Sequence, residues 1–189
     1  VVLPGVGAIR PAIERLKELG LVDTIKTVIK NGKPFLGICL GMQMAVIEYS
    51  RNVLGIKDAN SLEMDANTLN PVINLMEEQK NITNMGGTMR LGSWKCELKD
   101  GSKVSEIYGT NSINERHRHR YEYNDTYRDQ LEAAGMKATG LNPETGLAEI
   151  IELPNHKFFI ASQFHPEFLS RPQRSHPLFR EFIGASLNK

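Results

Sequence analysis

The chain has 189 residues, enough for one domain with a sizeable core. Hydrophobic residues make up 40% and charged residues 24%, which excludes a disordered chain. Twenty-three basic against 22 acidic side chains leave a net charge of +1, so no broad field selects nucleic acid or an anionic membrane. No apolar run approaches the roughly 18 residues of a bilayer span. Two cysteines, Cys39 and Cys96, cannot build a disulfide framework, and the N-terminus carries no signal-peptide pattern. A cytoplasmic protein is expected.

In chain order, Val1–Leu3 reads as a buried strand that enters a loop at Pro4-Gly5-Val6-Gly7. From Pro11 to Ile29 apolar residues recur every three or four positions, an amphipathic helix pattern broken near Gly20. Residues 34–39 form a short, almost wholly apolar run, as in a strand buried on both faces, and Leu40–Asn52 reads as a helix. Gly55–Asn84 is polar and irregular. Met85–Glu97 and Ser102–Tyr108 read as hairpin arms joined at Lys99-Asp100-Gly101. The basic pentad Arg116-His117-Arg118-His119-Arg120 reads as an ordered loop. Asp125 or Thr126 is expected to cap a helix that ends at Gly135. Ala148–Leu153 and Phe158–Phe164 read as paired strands, and Pro177–Leu187 as a docking helix. The expected architecture is a single α/β domain over residues 1–189, with a mostly parallel central sheet flanked by helices. A small antiparallel sheet is expected from the middle and late strands.

Gly37-Ile38-Cys39-Leu40-Gly41 places a nucleophile-type residue at a strand-to-helix junction with glycines two positions either side. A side chain on such a sharp turn points out of the sheet. The helix N-terminus that follows lowers a thiol pKa and offers amides to an oxyanion. Alone, the motif fits a buried core cysteine equally well. Gln163-Phe164-His165-Pro166-Glu167 supplies a base and an acid. In an extended strand His165 and Glu167 lie on one face, where the carboxylate can orient the imidazole; the bland alternative is a strand-end histidine beside a surface glutamate. The order Cys39, His165, Glu167 at two strand ends favours a triad, because open α/β sheets place sites at strand carboxyl ends.

PFLGICLGMQ followed by FHPEF resembles the signatures of the class I (triad) glutamine amidotransferases. CLGMQMAVIEYSRNVLGIKDANSLE, MGGTMRLG, ERHRHRYE, QFHPEFLSRP and HPLF extend the likeness over about residues 33–189. Across that stretch the chain resembles the glutaminase domains of CTP synthases. The resemblance implies hydrolysis of L-glutamine to glutamate and ammonia through a Cys39 thioester, with ammonia passed on for CTP synthesis from UTP. His165 is then the base, Glu167 its orienting partner, and the Leu40 backbone amide an oxyanion donor. Gln43, Glu63, Arg120 and Tyr121 match substrate-binding positions, and the chemistry agrees: a carboxylate suits an α-ammonium and a guanidinium an α-carboxylate. Arg90 falls near the nucleotide-effector region and is a candidate contact for GTP; a surface arginine beside a glycine turn is as good a reading.

The first thirty residues are instead similar to the glutaminase subunit of imidazole glycerol phosphate synthase. There the Pro4–Gly7 loop implies a second oxyanion amide from Val6, with Gly5 and Gly7 giving freedom. An ammonia supply to that synthase is therefore the second reading, and an inert scaffold of the same fold the third. The family's fold ordinarily begins with strands and a helix ahead of the segment that VVLP matches. No cofactor is expected in this domain, because ATP, Mg and UTP would belong to a synthetase domain outside these residues. The expected partners are L-glutamine and that synthetase domain, with GTP as effector and neither nucleic acid nor membrane. A zinc site from His117, His119 and a cysteine finds no Cys-x-x-Cys support, so no metal is expected.

Overall fold

A computed structural model describes residues 1–5, 9–75 and 89–187, with the backbone alone at residues 9, 10, 12 and 13. The first half runs β1 (Val2–Leu3), α1 (Ile9–Glu18), α2 (Leu21–Lys30), β2 (Phe35–Ile38), α3 (Leu40–Asn52), β3 (Asn60–Ser61) and β4 (Pro71–Leu75). The second half runs β5 (Arg90–Leu98), α4 (Lys103–Tyr108), β6 (Ser112–His119), β7 (Tyr121–Tyr123), α5 (Arg128–Ala133), β8 (Lys137–Leu141), β9 (Ala148–Glu152), β10 (Phe159–Ser162) and α6 (Pro177–Leu187).

A seven-stranded sheet has the order β1-β2-β10-β9-β8-β5-β6, and a three-stranded sheet the order β3-β4-β7. The α/β architecture with a second, smaller sheet is as the sequence predicts. In the large sheet parallel register is confined to β1-β2-β10, and from β10 outward the pairs are antiparallel; the small sheet is mixed rather than antiparallel, with β3 and β4 parallel and β4 and β7 antiparallel. The late strands extend the large sheet rather than the small one. Between β8 and β9 and between β9 and β10, short turns such as Pro154–His156 return the chain directly to its neighbour, which makes those pairs antiparallel.

Strands β2 and β10 are buried throughout, and alternation divides their side chains between two cores. Phe35, Phe159 and Ala161 join Met42, Val46 and Ile47 of α3 on one face. Leu36, Ile38 and Ile160 meet Val104, Leu178 and Phe182 on the other. Leu178 and Phe182 dock α6, each side chain contributing roughly 1.5–3 kcal/mol by burial. His176 fixes the start of this helix, its Nδ1 accepting from the Leu178 amide and its Nε2 lying 2.8 Å from Glu115 of β6.

Three local expectations change. Ser102–Tyr108 is a helix and no hairpin arm, because Ser102 caps it by accepting from the Ser105 amide, and β5 pairs with β6 instead. The first four residues of the basic pentad are the end of β6, not a loop, and Arg120 is the bend that follows: His117 and His119 point inward while Arg116 and Arg118 are exposed. Asn124 rather than Asp125 or Thr126 caps the next turn, its side chain accepting from Thr126. The predicted break at Gly20 is real, with φ +64 separating α1 from α2.

Candidate active site

Cys39 stands where β2 gives way to α3, with φ 51 and ψ −103, and is the one non-glycine residue of positive φ among the described residues. Such a conformation costs on the order of 1–3 kcal/mol and persists only where the surroundings impose it. The flanking glycines show how. A Cβ on Gly41 would lie 2.2 Å from the Leu3 carbonyl oxygen, and one on Gly37 would lie 2.8 Å from the Ala161 side chain. The elbow is thus wedged between β1 and β10. Gly5 closes it from the N-terminal side, since a Cβ there would fall 2.2 Å from the Leu40 amide nitrogen. Val6, the expected second oxyanion donor, lies outside the described residues.

β10 lies beside β2 in parallel, with Ser162 opposite Ile38, so both chains leave the sheet at their carboxyl ends side by side. The Cys39 amide donates to the Ser162 carbonyl at 2.6 Å. Three residues beyond, the His165 amide donates to the Arg116 carbonyl of β6 at 2.9 Å, which holds the buried imidazole in place. His165 and Glu167 do not share the face of an extended strand. The chain turns in a 3-10 helix at Pro166–Phe168, and Glu167 curls back so that its Oε1 lies 2.7 Å from His165 Nδ1. Phe168 stacks on the imidazole at 4.8 Å. Nε2 is buried and has no hydrogen-bond partner among the described residues. Desolvation opposes ionisation of Glu167, but the His165 hydrogen bond and nearby positive charge outweigh it, and the carboxyl is held below its ordinary range.

The Cys39 thiol is only 6% exposed. Burial pushes its pKa up to about 12, against the Leu40 amide, which lowers it, and with Glu122, Glu167 and Glu63 raising it further. Cys39 is therefore a neutral thiol at rest. It differs from Cys96, whose packing among Gly140, Ile150 and other apolar neighbours is that of an ordinary core cysteine. The sulfur of Cys39 instead has polar company: the Leu40 amide and, at 3.6 Å, the side-chain nitrogen of Gln163.

Gln43, on the first turn of α3, is buried, and its nitrogen donates both to the Tyr121 carbonyl at 2.8 Å and to Gln163 at 3.3 Å. Glu63 lies at the rim, where desolvation raises its carboxyl and Arg120 draws it back down. Tyr121 feels both charges. The fold thus gathers Glu63, Arg120 and Tyr121 around the elbow, together with Gln43 and Gly5.

Arg90 is elsewhere. Read from the sequence as an effector contact or a surface arginine, it is 3% exposed, with Nη2 2.6 Å from Glu149 and Nη1 3.3 Å from Glu122. Its guanidinium also lies 4.5 Å from the Trp94 ring centroid. The structure leaves it no surface for a nucleotide. Two carboxylates from different elements draw it inward, so it ties the large sheet to β7 of the small one. His117 and His119 complete this buried network, His119 against Glu122 and His117 3.4 Å from Glu149. Burial, His119, Arg90 and His165 together press the His117 pKa down to about 2, so it is neutral. Among the described residues no group of three or more His, Cys, Asp and Glu side chains is arranged to hold a metal ion. Sequence reasoning missed Glu122, Glu149 and Gln163; the alternation of histidine with arginine in β6 was the one available signal of an inward polar face.

A cysteine elbow and a His–Glu pair at the carboxyl ends of two neighbouring parallel strands form the kind of constellation that a thiol-dependent acyl-transfer enzyme uses. The class-I glutamine amidotransferase family model matches residues 1–185, and the chain belongs to this family. Within it, the similarity is to CTP synthase. The CTP synthase of Flavobacterium johnsoniae is 59% identical over 169 residues, covering 89% of this chain and 32% of that protein. That of Staphylococcus aureus is 54% identical over 168 residues, covering 89% and 31%. The chain thus spans about a third of the length of these relatives. The solved glutaminase domain of Trypanosoma brucei CTPS, with bound acivicin, superposes with a TM-score of 0.87 at 36% identity, covering all of this chain and 70% of that one. Among the described residues no helix is long and apolar enough to cross a membrane.

Proposed function

We propose that this chain hydrolyses L-glutamine to glutamate and ammonia, and that the ammonia serves the amination of UTP to CTP in a synthetase domain. The observation that carries the reading is a strained Cys39 elbow at the end of β2 beside the end of β10, which leads into His165, whose Nδ1 is held by Glu167 at 2.7 Å. Because the Glu167 carboxylate accepts from Nδ1–H, neutral His165 presents the lone pair of Nε2. Nε2 takes the Cys39 proton as the sulfur attacks the substrate carboxamide carbon. The C–N bond then breaks, the proton passes from Nε2 to the leaving nitrogen, and ammonia departs from a thioester. His165 next deprotonates water, whose oxygen attacks the thioester carbon; the C–S bond breaks, the proton passes from Nε2 to the Cys39 sulfur, and glutamate is released. The Leu40 amide, first in α3, meets the oxyanion at both tetrahedral stages.

Glu63 and Arg120 divide the substrate's ammonium and carboxylate between them, and Tyr121 packs beside both. Both hydrogens of the Gln43 amide are already donated, which leaves its carbonyl oxygen to accept from the substrate ammonium. Thiol, imidazole and carboxylate suffice for this half-reaction; ATP, Mg and UTP belong to the synthetase portion. We assign no residue to a GTP effector, since Arg90 is engaged by Glu122 and Glu149. The CTP synthase relatives favour this acceptor over imidazole glycerol phosphate synthase.

The test is glutamate release from L-glutamine by the chain, alone and with a CTP-forming synthetase domain added. Cys39→Ala should abolish it while the melting temperature stays nearly constant. Wild-type chain that releases no glutamate in either setting refutes the reading.

A further inference from the structure

Gln163 has no role so far, yet it is fully buried and touches the reacting atom. Its orientation follows from a chain of donors. The Tyr121 backbone carbonyl can only accept, so the Gln43 side chain must turn its nitrogen toward it. That nitrogen's second hydrogen reaches Gln163 Oε1 at 3.3 Å, which commits the oxygen end of the Gln163 amide. The NH2 end is thereby aimed at Cys39 Sγ, 3.6 Å away. The backbone allows no escape, because the Gln163 amide donates to the Glu149 carbonyl at 2.8 Å. A packing role alone would be met by an apolar side chain of similar size, without the cost of desolvating an amide.

We propose that Gln163 is a catalytic residue: its side-chain amide, held in register by Gln43, donates a hydrogen bond to Cys39 Sγ and stabilises the thiolate as the proton passes to His165 Nε2. The sulfur needs this help. It is buried and three carboxylates, of Glu122, Glu167 and Glu63, disfavour a negative charge there, with the Leu40 amide lowering the cost. A donor with no net charge adds stabilisation at the sulfur without competing for the substrate's carboxylate. The same chain of bonds links Gln43, which faces the substrate ammonium, to the nucleophile two hydrogen bonds away, so engagement of glutamine and readiness of the thiol are coupled.

The inference rests on the reading of Cys39 as nucleophile, but its test reads the thiol itself, without glutamine. Iodoacetamide alkylation of Cys39 is followed by mass spectrometry from pH 6 to 10 in wild type, Gln163→Met and Gln43→Leu. Loss of one charge-assisted hydrogen bond should slow alkylation of Gln163→Met roughly tenfold at pH 8 and move its pH profile to higher pH. Gln43→Leu should shift the profile in the same direction by less, because the Gln163 amide is then free to turn; a residue that only binds substrate would leave it unmoved. Superimposable profiles for wild type and a folded Gln163→Met overturn the proposal. If that variant does not fold, an unshifted profile in Gln43→Leu overturns it. Shifted profiles in a chain that never releases glutamate would sink the proposed function and leave this inference standing.

Discussion

Arg90→Met separates the buried position of this arginine from the exposed one that its sequence context suggests. Methionine matches the length and fills the space but carries no charge. The guanidinium lies 2.6 Å from Glu149 and 3.3 Å from Glu122, and the three side chains are 1%, 0% and 3% exposed. Removing the arginine leaves the buried Glu122 and Glu149 without their cation and costs about 3–5 kcal/mol. At about 2–4 °C per kcal/mol for a chain of this size, the melting temperature should fall by roughly 6–20 °C. The deficit should depend on pH. Burial pushes the Glu149 carboxyl up to about 8, with Arg90 opposing the rise and Glu122 adding to it. A carboxyl whose folded pKa is raised contributes stability that is present below its unfolded pKa and lost as pH rises through the folded one. Without Arg90 the folded pKa moves higher still, so the variant keeps its Glu149 proton where wild type has released it. Above pH 8 the variant therefore goes on losing stability after wild type has levelled off. Calorimetry at pH 6.5, 7.5 and 9 should show a widening gap. A shift of under 2 °C at every pH, or a gap that narrows on alkalinisation, refutes the buried-network account.

Glu167→Gln leaves the geometry but offers the imidazole an amide that can stabilise the wrong tautomer; the glutamine kcat should fall about 10²–10⁴-fold with little change in KM. Arg120→Ala should mainly raise the glutamine KM by removing ground-state binding, and steady-state kinetics would contradict the substrate assignment if KM stayed constant. Gly41→Ala drives a Cβ to within 2.2 Å of the Leu3 carbonyl, a backbone atom that cannot swing away. The elbow must shift, at a cost of about 1–3 kcal/mol by overpacking, and both thermal stability and kcat should drop together.

The parts of this fold legible in the sequence are those where one strong local rule acts alone. The GICLG elbow set both the end of β2 and the start of α3, and Gly20 marked the break between α1 and α2. The three residues proposed as the triad stand out for the same reason, since Cys39, His165 and Glu167 sit at the ends of two apolar runs. Where two rules competed, reading by pattern failed. Ser102–Tyr108 follows a turn at Lys99-Asp100-Gly101 that invites a hairpin, yet Ser102 supplies a helix cap, and six residues are too few for the three-residue spacing of Val104 and Ile107 to show a helical period. The pentad in β6 hides its strand period because the inward residues are histidines rather than hydrophobes. Arg90, Glu122 and Glu149 were beyond reach for a further reason. Each is a charged residue made tolerable in the core only by the others, and these partners stand 32 and 59 positions away in sequence.

The strand order has a consequence for how such an enzyme comes into being. β2, which leads into the proposed nucleophile Cys39, is flanked by β1 and β10, and β10, which leads into His165, belongs to the last fifth of the chain. As the polypeptide leaves the ribosome, Cys39 emerges long before its base. A half-made copy therefore holds a thiol with no proton acceptor at its side. On the proposed function, a nascent chain releases no ammonia until the closing strand slides in beside the first ones.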